Sequence, residues 1–169
     1  IVGTNQTLPG AGPGSLTGNA GDDILTGNAA ANSLTGNAGN DTLDGAAGND
    51  TAVFAAPAWS ATFGLSGTSL LVTTADGTDT VANVEFLNFG GAAQAAVLVQ
   101  GTATNDTLLA AGQSSMILGL GGADQIGGST IADHIRGGMG NDSINGGGGS
   151  DIVFSEADDD TITYTVTTN

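Results

Sequence analysis

The sequence predicts an all-β fold: a parallel β-roll or β-helix solenoid, in two repeat blocks joined by a small β-insert. Three observations carry that expectation. The chain repeats with a period of nine residues, an aliphatic side chain recurs at the eighth place of the period, and 30 glycines accompany a single Lys or Arg. Units this short cannot bury an apolar face alone, so they fold by stacking on their neighbours.

The first block spans 1–53. Residues 18–26 read GNAGDDILT, 27–35 GNAAANSLT, 36–44 GNAGNDTLD and 45–53 GAAGNDTAV, with a weaker copy, PGAGPGSLT, at 9–17. Glycines crowd the first four places, Asp takes the sixth, and the eighth holds Leu16, Leu25, Leu34, Leu43 and Ala52. Side chains alternate across a strand, so the eighth residue is expected inside and its neighbours outside. Nine residues make a six-residue turn and a three-residue strand, half a coil, so turns stacked on one side recur every eighteen residues. Glycine supplies the positive φ angles that such turns need.

The repeat stops over 54–100. Five of the seven aromatic residues lie here (Phe54, Trp59, Phe63, Phe86 and Phe89), which points to a conventional small core. Runs 62–65 and 69–74 read as strands, Asp76–Gly77 as a hairpin turn, and DTVANVEFLNF (79–89) and AAVLV (95–99) as further strands. Asp79 and Glu85 are expected to be solvated or structural rather than ion ligands.

The second block, with a C-terminal strand, spans 101–169. GTATNDTLL (101–109) and a degenerate AAGQSSMIL (110–118) lead into GLGGADQIG, GSTIADHIR, GGMGNDSIN, GGGGSDIVF and SEADDDTIT, which ends at 163. Its eighth-place series is Leu108, Ile117, Ile126, Ile135, Ile144, Val153 and Ile162. Gly14 and Ser115 lack the sixth-place carboxylate, and Ile131 replaces the fourth-place glycine, which disfavours a positive φ there.

These units resemble the G-G-x-G-x-D-x-(aliphatic)-x repeat of the RTX, or haemolysin-type, calcium-binding proteins, and 79–89 resembles the stretch that separates blocks in that family. The resemblance implies a β-roll holding several Ca²⁺ ions between stacked turns. Ca²⁺ takes about six to eight oxygens. The residues implied are the sixth-place Asp23, Asn32, Asp41, Asp50, Asp106, Asp124, Asp133, Asp142, Asp151 and Asp160, with the fourth-place Gly21, Gly39, Gly48, Gly122, Gly140 and Gly149. The expected ladders are Asp106, Asp124, Asp142 and Asp160; Ser115, Asp133 and Asp151; Asp23 with Asp41; and Asn32 with Asp50. Occupancy is expected to be best around Asp124, Asp133, Asp142 and Asp151. Stacked carboxylates repel until a cation arrives, so binding and folding are expected to be one event.

Charge and composition bound the function. The formal net charge of −16 leaves no basic surface for nucleic acid or for an anionic membrane, and calls instead for cationic partners. Without cysteine, and with His134 as the single histidine, zinc and thiol chemistry lack ligands and nucleophile. No catalytic constellation is visible, so no enzyme is expected, and His134, at a seventh place, is expected to be exposed. Starting at Ile1 rather than Met, the chain reads as processed or as a fragment.

Two functions fit. One is a secreted calcium-dependent module of a larger parent protein, such as an adhesin, toxin or exoenzyme, which folds on reaching calcium outside the cell. The resemblance implies type I secretion for it. The other is a subunit of an extracellular filament, sheath or surface layer. There Ile1–Val2 and the final DDDTITYTVTT would leave open coil ends, free to associate head to tail.

Overall fold

The computed structural model describes residues 2–90 and 95–164, and its contacts divide the chain into two compact units, 1–95 and 96–169. Almost all regular structure is strand, and among the described residues no helix is long and apolar enough to cross a membrane.

The first unit carries, in chain order, β1 (Asn5–Thr7), β2 (Gly14–Thr17), β3 (Ile24–Thr26), β4 (Asn32–Thr35), β5 (Thr42–Asp44), β6 (Thr51–Phe54), a 3-10 turn (Ala58–Ser60), β7 (Thr62–Ser66), β8 (Ser69–Thr74), β9 (Gly77–Ala82) and β10 (Phe86–Phe89). One wall is the parallel series β1, β3, β5, β9, and the other is β2, β4, β6, β10. Where the period of nine holds, equal places stand opposite one another, and the strands β9 and β10 join the same rows. Leu25, Leu43 and Val81 form one row, and Leu16, Leu34, Ala52 and Leu87 another, all buried. Burying each Leu contributes about 1.5–3 kcal/mol.

The strands expected at 62–65 and 69–74 are β7 and β8, an antiparallel hairpin that extends the first wall beyond β9. The run 79–89 is not one strand. It breaks at Asn83 (φ 51°), where the chain leaves β9 in one wall for β10 in the other. The aromatic core is also smaller than expected. Phe54 stacks on Phe89 with ring centres 4.8 Å apart and Phe63 meets Phe89 edge-on at 6.0 Å, but Trp59 sits on the 3-10 turn, which buries nothing, and is 65% exposed. Val2 belongs to no strand and is exposed. Ile1 and residues 165–168, the rest of the two expected open ends, lie outside the described residues.

The second unit carries β11 (Ala96–Gln100), β12 (Thr107–Leu109), β13 (Ser115–Gly121), β14 (Gln125–Gly127), β15 (His134–Met139), β16 (Ser143–Asn145), β17 (Ile152–Ala157) and β18 (Thr161–Thr163). Its walls are the parallel series β11, β13, β15, β17 and β12, β14, β16, β18. Leu108, Ile117, Ile126, Ile135 and Ile144 form the core, with Val99, Ala110 and Val153 packed against it.

The in–out rule fails at Ile162, Met116 and Leu118, and also at the ninth-place Arg136, which is buried. Ile162, expected inside, is 36% exposed, because among the described residues β18 pairs with β16 alone. Met116 and Leu118, expected outside, are buried. They stand mid-sheet in rows between Leu98 and His134, and between Gln100 and Arg136, where side chains about 4.8 Å apart shield one another.

Candidate metal centre

Seven sixth-place carboxylates each hold the coil before them. Asp41 Oδ1 accepts the backbone N–H of Asp23 at 2.8 Å, and Asp50 Oδ1 that of Asn32 at 2.7 Å. Asp124 accepts from Asp106 at 2.8 Å, Asp142 from Asp124 at 2.8 Å and Asp160 from Asp142 at 2.9 Å. In the alternate ladder, Asp133 accepts from Ser115 at 2.8 Å and Asp151 from Asp133 at 3.0 Å. The structure therefore brings together the rows that sequence spacing places eighteen residues apart.

The fifth place laces the coils in the opposite direction. Asp22 Oδ1 accepts the N–H of Asn40 at 2.8 Å, Asn105 Oδ1 that of Ala123 at 2.9 Å and Asn141 Oδ1 that of Asp159 at 3.3 Å. This role was missed from sequence, although the recurring Asn-Asp pair signalled it.

The turns with Asp or Asn at the sixth place fall into two classes, separated by the second-place residue. In one class its N–H closes on the sixth-place side chain of the same turn. Asn19 donates to Asp23 Oδ2 at 2.6 Å, Asn28 to Asn32 Oδ1 at 2.7 Å, Thr102 to Asp106 Oδ2 at 2.6 Å and Ser129 to Asp133 Oδ2 at 2.7 Å. In the other class the second place is left-handed: Asn37 (φ 73°), Ala46 (φ 71°), Leu120 (φ 75°), Gly138 (φ 110°), Gly147 (φ 82°) and Glu156 (φ 75°). The Oδ2 atoms of Asp41, Asp50, Asp124 and Asp142, all in this class, are buried and have no hydrogen-bond partner. Each such atom costs about 1–3 kcal/mol. Asp151 and Asp160 close the two ladders in more exposed surroundings.

Burial pushes the carboxyls of Asp41, Asp50, Asp124 and Asp142 above the ordinary value. Burial also raises Asp23, but hydrogen bonds from Thr4 and Asn19 outweigh it and hold that carboxyl below the ordinary value.

Glycine at the first place makes room for these oxygens. A Cβ on Gly137 would lie 2.5 Å from Asp142 Oδ2 and 2.6 Å from the Ser155 carbonyl of the next coil. Gly119 likewise faces Asp124 Oδ2 and the Gly137 carbonyl. At the fourth place Gly39, Gly48, Gly122, Gly140 and Gly149 are left-handed, whereas Gly21 is not among them. The turns thus gather carbonyls and carboxylate oxygens with no basic side chain anywhere before His134. An all-oxygen, anionic cradle with unpartnered oxygens fits Ca²⁺. Among the described residues no three His, Cys, Asp or Glu side chains converge on one point, so carbonyls would have to complete any coordination sphere.

Asp79 and Glu85, expected to be solvated or structural, stand in the ladders at positions that a slip of the period hides. Residues 74–82, TADGTDTVA, carry Gly at the fourth place, Asp at the sixth and an aliphatic at the eighth, out of phase with the first block after 54–73. Asp79 Oδ1 accepts the N–H of Asp41 at 2.9 Å, and Glu85 Oε2 that of Asp50 at 2.8 Å. Both occupy sixth-place positions in the ladders. Burial, reinforced by the neighbouring Asp41, pushes the Asp79 carboxyl up to about 7.

His134 is half-buried rather than exposed, and burial with the adjacent Arg136 lowers its basicity. Arg136 is itself buried: Nη1 pairs with Glu156 Oε1 at 2.6 Å and the guanidinium lies 4.7 Å from the centre of the Phe154 ring.

A sequence profile of the RTX calcium-binding nonapeptide repeat matches residues 17–52, 100–130 and 127–162, more than half of the chain. No curated protein matches the sequence. Among solved structures, the chain is similar to the crystal structure of the extracellular lipase LipA from Serratia marcescens, with 17% identity and a TM-score of 0.27. That match covers 96% of this chain and 34% of the lipase chain, so the chain spans about a third of that protein's length.

Proposed function

The chain belongs to the family of RTX calcium-binding nonapeptide-repeat proteins, and from that premise we propose that it is an extracellular, non-catalytic structural module whose turns bind several Ca²⁺ ions and whose β-roll folds on meeting them. The unpartnered Oδ2 atoms of Asp41, Asp50, Asp124 and Asp142 carry this reading. They are buried anionic acceptors in a chain with almost no basic residues, and a bound cation would offset the cost of burying them. These four, with turn carbonyls, would hold the ions most tightly, and Asp151 and Asp160 would extend the ladders. Asp23, Asn32, Asp106 and Asp133 already receive N–H groups from their own turns and would bind weakly.

Low calcium inside a cell and high calcium outside would make folding follow export, which fits the type I secretion that family membership suggests. The module would serve a larger secreted protein. The test is calcium titration of the calcium-free chain followed by circular dichroism. Gain of β-structure on addition of Ca²⁺ is expected, and a spectrum indifferent to both calcium and chelator would overturn the proposal.

A second reading, a filament or surface-layer subunit joined head to tail, is favoured by Ile162, which is exposed on β18. Calcium-driven growth in light scattering, alongside the gain of β-structure, would select it.

A further inference from the structure

We infer that Arg136 is a positioning residue: paired with Glu156, it holds the glycine-free turn 155–160 in left-handed geometry and so fixes the Ser155 carbonyl beside the free oxygen of Asp142. The use made of that carbonyl rests on the calcium reading above, whereas the hold on the turn does not.

Left-handed backbone recurs in two rows of this wall. The second places are Leu120 (φ 75°), Gly138 (φ 110°) and Glu156 (φ 75°), and the fourth are Gly122 (φ 105°), Gly140 (φ 114°) and Asp158 (φ 82°). Leu120, Gly138 and Glu156 stand opposite one another in β13, β15 and β17. The last turn, SEADDD, therefore adopts without any glycine the shape that the coil before it reaches with Gly138 and Gly140. Asp is among the residue types that tolerate this region, and Asp158 Oδ2 also accepts the Gly140 N–H at 3.0 Å. Glu is not among those types, so Glu156 needs another hold.

Arg136 supplies it. Its Nη1 donates to Glu156 Oε1 at 2.6 Å, across the paired strands β15 and β17. The two side chains are 10% and 39% exposed, so the pair is better shielded than an ordinary surface ion pair. The guanidinium also lies 4.7 Å from the ring centre of Phe154, which stands opposite Arg136 on β17. Arg136 is the single Lys or Arg of the chain, so no other such side chain can take its place. Among the described residues β17 pairs with β15 alone, and no following coil constrains this turn.

The hold reaches Asp142 through one peptide unit. The Ser155 carbonyl and the Glu156 N–H share a plane, so the φ of Glu156 and the direction of that carbonyl are set together. The Ser155 carbonyl and Asp142 Oδ2 lie 2.6 and 2.5 Å from the point where a Cβ of Gly137 would stand, and Asp142 Oδ2 is buried without a partner. A turn that relaxed at Glu156 would swing the carbonyl away from that oxygen.

Amide hydrogen exchange and calcium affinity of the full chain test this, in wild type, Arg136→Met and the double variant Arg136→Met/Glu156→Gly. Methionine keeps an apolar side chain against Phe154 and removes the charge. In saturating calcium, Arg136→Met should exchange its amides over 155–163 about 10-fold faster than wild type, with 105–127 unchanged. One calcium ion should also bind about 10-fold more weakly. In the double variant glycine takes up the left-handed geometry unaided, and both quantities should return to wild-type values. Exchange in Arg136→Met equal to wild type, or equally fast in the double variant, would overturn the hold, since lost packing alone would not be rescued by glycine. Exchange that responds while calcium affinity stays constant would overturn the link to the Ser155 carbonyl. Should Arg136→Met not fold, Glu156→Ala and Glu156→Gly decide: alanine, strained and unpaired, should exchange faster than glycine, and equal rates would overturn the hold. A wild type that takes up no calcium would overturn the calcium reading, with the exchange rates still deciding the role of Arg136.

Discussion

Asp142 accepts the backbone N–H of Asp124 through Oδ1 at 2.8 Å while its Oδ2, equally buried, has no partner. One carboxylate thus has two jobs. Its first oxygen ties coil to coil, and its second is left for a cation. An amide can do the first job but not the second.

Substitution at Asp142 should separate the two. Asp142→Asn retains an acceptor for Asp124 and should fold in saturating calcium, but with affinity at that turn reduced about 10-fold or more. Asp142→Ala also orphans the Asp124 N–H and should lose a further 1–3 kcal/mol or so of stability in urea denaturation. Equal stability of the two variants at saturating calcium would show that the Asp124–Asp142 bond contributes nothing.

First-place glycine should be intolerant wherever it faces the free oxygen. Gly137→Ala puts a methyl 2.5 Å from Asp142 Oδ2 and 2.6 Å from the Ser155 carbonyl, so calcium affinity and thermal stability should both fall. Gly64→Ala, on the hairpin strand β7, meets nothing within 4 Å and should leave both unchanged. A Gly137→Ala protein with wild-type calcium affinity would sever the link between that glycine and the site.

Left-handed geometry at the second place carries strain that glycine would relieve. Ala46 has φ 71° and is exposed, so Ala46→Gly removes about 1–2 kcal/mol of strain without loss of burial. The looser unfolded chain cancels about 0.4–1 kcal/mol of that gain. Ala46→Gly should therefore be neutral to mildly stabilising, and Ala46→Val clearly destabilising, since a branched side chain tolerates this region worst. The reverse order of thermal midpoints would contradict the left-handed assignment.

The aliphatic rows were legible in sequence because Leu25 and Leu43 keep an unbroken phase of nine. Val81 and Leu87 occupy the same rows but were not legible as such, since 54–73 shifts the phase and the short link at Asn83 removes half of a turn. Glu85 escaped for a related reason: a longer side chain reaches the Asp50 N–H from the shortened turn, so the sixth-place Asp disappears from the pattern while its bond persists. The division into closed and open turns was hidden as well. It depends on the φ of Asn19 against that of Asn37, and the same residue type serves both.

Acidity should act in opposite directions on the free and the calcium-loaded chain. Asp79 has its carboxyl raised by burial from 3.8 to about 7, and burial raises Asp41, Asp50, Asp124 and Asp142 in the same sense. A raised carboxyl means that the folded chain binds protons more tightly than the unfolded chain. Between the two values the folded state holds more protons, so stability without calcium rises as pH falls from above 7 towards 4. Asp23 opposes this only at the acid end, because its stabilising charge is lost only as pH drops through its depressed value. Calcium competes with the same protons, so its affinity must fall over that interval. In chelator, acidification from about pH 8 to 5 should therefore increase β-structure, while at limiting calcium the same change should release the ion. Chelator-treated chain that loses β-structure on mild acidification would show that these carboxyls are not protonated in the fold.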